Sequence, residues 1–254
     1  MTAAAVDPTA RPARNWWTLA GWLTLLPILL LALLSISWEL LAWGNFGYRT
    51  LHQLIDIEAT ISEYGPQNRL RPGFQFTSLD ERSRLFGEIV DAIHQRGEGL
   101  AELVYRHADG RPLGPLLTPA EIVHLQDVAQ LVSRLRPLGW AAAVITLLAT
   151  AVIVRQRLLV PWRLWLAGIA LLGVVSMVLL LLFGAEPLFY QLHRWWFPPD
   201  HQWFFYYEES LMSMMMQAPN LFGAIAVGWL LLVLLLGAGW WQCVRHHSGA
   251  NLNP

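Results

Sequence analysis

The sequence predicts an all-α membrane protein with four transmembrane helices, a mostly helical extracytoplasmic domain between spans one and two, and an interfacial aromatic segment between spans three and four. Of the 254 residues, 55% are hydrophobic and only 14% are charged. The apolar residues are concentrated in runs that approach or exceed the roughly 20 residues needed to cross the hydrocarbon of a bilayer. We place the spans at residues 16–43, 138–154, 164–183 and 221–241.

The first span is predicted to be a retained anchor. It is too long for the apolar core of a signal peptide, and no small-x-small cleavage site follows it. It contains one proline, Pro27, which a transmembrane helix tolerates.

The arginines orient the spans. All 17 basic residues are arginines, and six of them lie in the N-terminal tail 1–15, the loop 155–163 and the C-terminal tail 242–254. Because positive charge marks the cytoplasmic side, we expect these three segments, which contain one acid, to face the cytoplasm. Residues 44–137 and 184–220, with 16 of the 18 acids, are then extracytoplasmic.

The extracytoplasmic domain 44–137 shows helical periodicity in three places. Apolar residues recur with helical spacing over residues 48–63 and again from Ser78, where Glu81 suggests a capping box. Residues 100–107 are the best strand candidate, followed by a turn at Asp109-Gly110. A third helix begins at Thr118 and joins span two.

The helix after Thr118 carries the first candidate catalytic residue. Thr118, Pro119 and Glu121 specify its start, since they supply a capping box with proline at the first helical position. His124 and Asp127 then lie three apart on one face, where the carboxylate could fix the tautomer of the imidazole. A surface histidine paired with Asp127 for helix stability is the alternative.

The segment 184–220 carries the second candidate. Its aromatic residues are expected at the headgroup level of the bilayer, and His193 lies among them. Because ionisable groups at that depth are often functional, we treat His193 as a candidate functional residue. An anchoring histidine is the alternative.

Glu39, at the outer end of span one, is either a polar partner of the site or an interfacial acid. Arg194 is assigned a supporting role, and Trp195, Trp196, Phe197 and Trp203 are candidate substrate-binding residues.

Composition excludes several chemistries. The chain has no lysine, which removes Schiff-base and Ser-Lys mechanisms, and its one cysteine, Cys243, lies at the inner end of span four. We expect no metal and no other cofactor. A zinc site using His193 and His201 with Glu208 or Glu209 matches no familiar spacing. Near-neutral charge gives no reason to expect nucleic acid as a partner.

With these residues in place, the chain resembles the lipoprotein intramolecular transacylase family. The resemblance covers the hydrophobic layout, the outer domain, residues 117–128 and the segment Leu192-His193-Arg194-Trp195-Trp196-Phe197. It implies His124 and His193 as the catalytic residues and a bacterial cytoplasmic membrane as the location. Asp200-His201-Gln202-Trp203 departs from the family pattern, whereas Pro219 before the last span is retained.

The activity implied by the resemblance moves the sn-2 acyl chain of a diacylglyceryl-cysteine lipoprotein to the α-amino group of that cysteine, giving a lyso-lipoprotein. Its partners are then the diacylated lipoprotein and membrane lipids. Two imidazoles suit this reaction as base and acid, either with His124 as the base and His193 as the acid or with the two roles reversed. Two alternatives are a non-enzymatic envelope sensor or scaffold and a metal-dependent membrane lipid hydrolase. The oligomeric state is not predicted.

Overall fold

A computed structural model describes residues 16–158 and 160–248. The expected N-terminal tail 1–15 and the last part of the C-terminal tail, 249–254, lie outside the described residues. The elements in chain order are α1 Trp16–Trp43, α2 Tyr48–Leu54, α3 Ile57–Tyr64, α4 Leu79–His94, β1 Val104–Arg106, β2 Pro112–Pro115, α5 Pro119–Arg155, α6 Trp162–Phe183, α7 Ala185–Trp196, α8 Leu211–Met216 and α9 Asn220–Ser248.

The chain is a mostly helical integral membrane protein. In the described part, three helices are long and apolar enough to cross a membrane: Ala20–Trp43 within α1, the whole of α5, and Asn220–His247 within α9. Helix α1 packs against both α5 and α9. Helix α6 has 22 residues and contains a shorter apolar stretch, Trp165–Val175.

Helix α5 joins the outer domain to the membrane without a break. The sequence predicted that the Thr118 helix continues into span two, and one helix of 37 residues does so, with Pro137 inside it. At 1.5 Å per residue it is about 55 Å long, well beyond the roughly 30 Å of hydrocarbon. Its N-terminal half, which holds all its charges except Arg155, therefore projects from the membrane as part of the outer domain.

The outer domain has its own apolar core, contributed by α2, α3, α4, the strands and α8. The single helix expected over residues 48–63 is divided into α2 and α3 at Asp56, whose φ is +53°. The Asp56 carboxylate accepts a hydrogen bond from the amide of Ala59 at 3.2 Å and so caps a new helix. Local capping by one aspartate outweighs the continuous apolar pattern.

Two details of the sequence prediction, the capping box at Ser78 and the length of the first strand, differ in the structure. Ser78 accepts from the Glu81 amide at 3.1 Å, but the Glu81 carboxylate binds Arg84 and the Arg106 amide instead of completing a capping box. The strand expected over 100–107 begins with a 3₁₀ turn at Leu100–Glu102. Its remainder, β1, pairs antiparallel with β2.

The segment 184–220 is divided between two environments. Helix α7 exposes Trp195 and Trp196, as an interfacial segment would. In contrast, all six residues of α8 are buried in the outer domain. Its leucine and its four methionines are part of the apolar core. The segment thus runs from the exposed aromatic residues of α7 to the buried helix α8.

Candidate active site

The two predicted histidines meet. His124 lies in the second turn of α5 and His193 lies near the end of α7, 69 positions later in the chain. Their ring centroids are 6.3 Å apart and their planes are inclined by 27°. The two imidazoles are therefore neighbours, close enough for one bound substrate to contact both.

Hydrogen bonding fixes the tautomer of His193. Its Nδ1 donates to the carbonyl oxygen of Phe189, one turn earlier in α7, at 2.9 Å. In the neutral ring the proton is therefore on Nδ1, and Nε2 carries the lone pair. His193 thus presents a proton acceptor at Nε2.

Aromatic rings surround the two imidazoles. Phe197 lies edge-on to His124 at 5.1 Å and 5.3 Å from His193, between ring centroids. Trp203 is 4.7 Å from the His193 ring, and Phe205 is 6.1 Å from that of His124. These apolar walls limit the access of water to both imidazoles.

Asp127 does not bind His124. Its Oδ2 accepts a hydrogen bond of 2.6 Å from Nδ1 of His201, which belongs to the segment between α7 and α8. The buried Nδ1 of His124 has no hydrogen-bond partner among residues 16–158 and 160–248. The spacing of His124 and Asp127 on one helix face was read correctly, but the carboxylate has a different partner because tertiary folding brings His201 to it.

The environment keeps both site imidazoles neutral. Burial lowers the pKa of His124 to about 4, with a smaller contribution from His193, and Asp127 partly opposes this. Burial also lowers the pKa of His193, although its hydrogen bond to Phe189 acts in the opposite direction. In contrast, the hydrogen bond to Asp127 raises the pKa of His201. The site therefore contains two neutral rings beside one ring that favours protonation.

A buried polar connection positions the start of α5. Thr118 and Glu121 form the predicted capping box: the Thr118 amide donates to Oε2 of Glu121 at 2.6 Å, and the Glu121 amide donates to Thr118 at 3.4 Å. The hydroxyl of Ser210, just before α8, donates to the other oxygen of Glu121. Glu121 and Ser210 are 0% and 1% exposed. This contact fixes the end of the α7–α8 segment one turn from His124.

The other predicted residues are distributed as follows. Glu39 pairs with Arg136 at 2.7 Å, where α1 crosses α5, and Arg136 also donates to the carbonyl of His94. Arg194 is exposed on α7. Trp195 and Trp196 are 71% and 53% exposed, whereas Phe197 and Trp203 contact the histidines. The structure thus brings two of the four predicted substrate-binding residues to the imidazoles.

Sequence reasoning missed three contributors to the site. Phe189 could have been found from its position four residues before His193 on the same helix, where its carbonyl meets the imidazole. Phe205 and the pairing of His201 with Asp127 had no signal in the sequence, because the contacts join segments more than 70 residues apart.

The described residues contain no group of three or more His, Cys, Asp or Glu side chains placed to hold a metal ion. Of the suggested zinc ligands, His201 is engaged with Asp127, and Glu209 is 3.7 Å from Arg69.

Comparison with known proteins gives a consistent result. The family model described as lipoprotein intramolecular transacylase Lit matches residues 102–218, a stretch that contains both histidines and the aromatic residues described around them. A solved structure of the membrane integral lipoprotein intramolecular transacylase Lit from Bacillus cereus superposes with a TM-score of 0.64 at 13% identity, over 92% of this chain and 97% of that one.

Two further structures of the Bacillus cereus protein, each with one histidine substituted, by arginine or by alanine, have TM-scores of 0.62 at 13% identity. Each alignment includes 92% of this chain, together with 95% of the arginine variant and 96% of the alanine variant. No curated protein sequence matches the chain. At this identity the superpositions show a common fold, and the family model matches the site itself. The resemblance predicted from the sequence is confirmed over the stretch that contains both histidines, since residues 102–218 match the model of the lipoprotein intramolecular transacylase family.

Proposed function

We propose that this protein is an acyltransferase that moves the sn-2 acyl chain of a diacylglyceryl-cysteine lipoprotein to the α-amino group of the same cysteine. The observation that carries the proposal is the meeting of His124 and His193 at 6.3 Å, within the residues that match the family model. The names of the Bacillus cereus structures describe an intramolecular transacylase that acts on lipoproteins, which agrees with this assignment.

The chemistry needs one proton acceptor and one hydrogen-bond donor. As the amine nitrogen attacks the ester carbonyl, it must lose a proton, and Nε2 of His193 is available to take it. The carbonyl oxygen then bears negative charge. A neutral imidazole can stabilise that charge by donating its N–H, and the low pKa of His124 keeps it neutral for this purpose.

The second half of the reaction returns the proton. The bond between the carbonyl carbon and the glycerol oxygen breaks, and the imidazolium of His193 protonates the departing oxygen. The products are an amide and a free glycerol hydroxyl, so no protein nucleophile is needed. We therefore assign the base to His193 and the neutral donor to His124, a choice that the sequence left open.

Intramolecular transfer places the main demand on positioning. Both reacting groups belong to one lipoprotein, so a site that holds it folded gains a large rate advantage from proximity. Phe197 and Trp203 line the imidazoles, and Trp195 and Trp196 are exposed on the same helix, as expected for contacts with acyl chains and lipid. Few polar groups are needed in such a site.

We also propose that α6 is a fourth transmembrane span, with both termini in the cytoplasm and the site on the extracytoplasmic face of a bacterial cytoplasmic membrane. Its 22 residues extend about 33 Å, enough for the hydrocarbon. The arginines in segments 1–15, 155–163 and 242–254 support this orientation. A reporter active only in the periplasm, fused after residue 254, should be silent, and one inserted at Gly110 should be active. The opposite pattern would refute the orientation.

The reaction is tested by expressing the chain in a bacterium whose lipoproteins are diacylated with a free α-amine. Tandem mass spectrometry of the N-terminal lipopeptide should show one acyl group moved from glycerol to nitrogen at unchanged total mass. His124→Ala and His193→Ala should each abolish the transfer. His107→Ala is the matched control, because His107 lies in the β1–β2 turn, bonded to Asp109, and should leave transfer intact.

Folding of each variant is checked by membrane insertion and by a single symmetric peak on gel filtration in detergent. Unmodified lipopeptide despite well-folded protein would refute the proposal. Transfer that persists in either histidine variant would refute the assigned roles.

A further inference from the structure

His201, in the segment between α7 and α8, is the residue that binds Asp127. Asp127 lies one turn after His124 on the same face of α5, the spacing at which a carboxylate usually reaches an imidazole. Instead its Oδ2 is held by Nδ1 of His201 at 2.6 Å. The side chain of Asp127 is 11% exposed and that of His201 is 33% exposed, so the contact is partly shielded from water.

We propose that His201 is a positioning residue: by binding Asp127 it keeps that carboxylate off Nδ1 of His124, and so makes His124 the hydrogen-bond donor and His193 the base. The inference deepens the proposed function and rests on it for the catalytic use of the two rings. The underlying contact and its effect on His124 do not depend on any activity.

The tautomer of His124 follows from what its nitrogens meet. Nδ1 is buried with no partner in the described part of the chain. A buried N–H without an acceptor is rarer than a buried acceptor without a donor. The ring therefore carries its proton on Nε2, which is then the donor available to a substrate oxygen. An Asp127 carboxylate on Nδ1 would require the proton there and leave a lone pair on Nε2.

Without His201, Asp127 could bind Nδ1 of His124, and His124 would then have the arrangement of a histidine base. A carboxylate that accepts from Nδ1 of a histidine orients the ring and stabilises its imidazolium, as in hydrolase triads. His124 would then compete with His193 for the amine proton, and no N–H would stabilise the carbonyl oxygen. By engaging Asp127, His201 gives the two rings different tasks.

The charged and titratable neighbours of this group are few. Those that act on His124 are His193, from α7, and Asp127, from its own helix. Those that act on His201 are Asp127 and Asp200. Asp127 is thus the acidic neighbour shared by His124 and His201. A change of its hydrogen-bond partner therefore alters the electrostatic environment of both imidazoles.

The test is ¹⁵N NMR of the full-length protein with labelled histidine in detergent micelles, where the ring nitrogen shifts report tautomer and pKa separately. Loss of a signal in His124→Gln assigns His124. In the native protein we expect the proton on Nε2 and a pKa near 4. In His201→Phe, which keeps a ring but cannot donate, we expect the proton on Nδ1 and a pKa higher by about one pH unit or more.

Two further variants separate this role from a merely structural one. His201→Asn places an amide nitrogen where Nδ1 was, so it should keep the native tautomer and pKa. His201→Gln places its amide one bond further out and should behave as His201→Phe. Adding Asp127→Asn to His201→Phe should return the pKa of His124 to its low value, because the carboxylate is then gone. Should His201→Phe fold poorly, His201→Leu replaces it.

An unchanged tautomer and pKa of His124 in His201→Phe or His201→Leu would overturn the proposal. So would a raised pKa that persists after Asp127→Asn. With the expected shifts, lipoprotein transfer should fall about 100-fold in His201→Phe, the usual effect of losing one oxyanion donor, and recover in His201→Asn. Expected NMR results without any transfer in the native protein would refute the proposed function and leave the role of His201 standing.

Discussion

The crossing of α1 and α5 offers a quantitative test of the fold. A methyl group added to Gly139 would lie 2.0 Å from Oγ of Ser35 and 2.4 Å from its Cβ, while the Ser35 Cα is 3.8 Å away. Ordinary contacts begin near 3.4 Å, and the Cβ of Ser35 cannot rotate away, so in Gly139→Ala the two helices must separate by about 1 Å. Close approach through small residues is typical of helix packing in membranes.

The cost of that separation can be estimated. Overpacking a close contact costs about 1–3 kcal/mol. A value of about 2 kcal/mol corresponds to a fall in Tm of about 4–8 °C for a protein of this size. The Glu39–Arg136 ion pair lies one helical turn from the crossing, so separation would weaken it as well.

The Ser35 atoms allow a graded rescue. Ser35→Ala removes the atom at 2.0 Å but leaves Cβ at 2.4 Å, so it should restore Gly139→Ala only slightly. Ser35→Gly removes both atoms and leaves the 3.8 Å contact with Cα, so it should restore most of the loss. Ser35→Gly itself lowers helix propensity by a few tenths of a kcal/mol, so a gain in propensity cannot account for a rescue of Gly139→Ala by Ser35→Gly.

The assay is thermal unfolding in one detergent, with each single variant measured beside each double. A Tm for Gly139→Ala within 2 °C of the native value, or equal rescue by Ser35→Ala and Ser35→Gly, would refute the reasoning, since either result would mean that the helices do not touch at these atoms.

Three further predictions follow from other contacts. Arg82→Met should lower the free energy of unfolding by about 3 kcal/mol, measured by urea titration, because the buried Thr77 hydroxyl and carbonyl lose their donors; a loss below 1 kcal/mol would contradict this. Glu121→Ala and Ser210→Ala should each cost about 2 kcal/mol in the same assay, and together little more than either alone, because each leaves the other's buried group unpaired; additive losses would mean that the two are independent. The kcat/KM of transfer should rise with pH up to about 8, as the substrate α-amine is deprotonated. Protonation of His193 should reduce kcat/KM further only below pH 6.5, which gives the profile a second acidic limb. Burial lowers the pKa of His193, so this imidazole remains an available base down to that lowered value. A second limb above pH 6.5 would count against His193 as the base.

Helix α5 shows how much of the structure could be predicted from the sequence. The capping box at Thr118 and Glu121, the continuation into a membrane helix and the position of His124 all depend on neighbours within a few residues, and all were predicted. The division of the 48–63 helix at Asp56 also has a local cause, but a cap inside an apolar pattern is hard to weigh against the pattern.

The sequence by itself predicted the membrane class and the resemblance to the transacylase family, and it singled out His124 and His193 as candidates, because hydrophobic length, capping and short motifs are properties of adjacent residues. Only the tertiary structure decided that Asp127 binds His201, that α8 is buried in the outer domain, and that His193 presents Nε2 beside His124. The pairings of Asp127, His124 and α8 join residues distant in the chain, and their partners are selected by how the helices pack, which spacing along one helix does not specify.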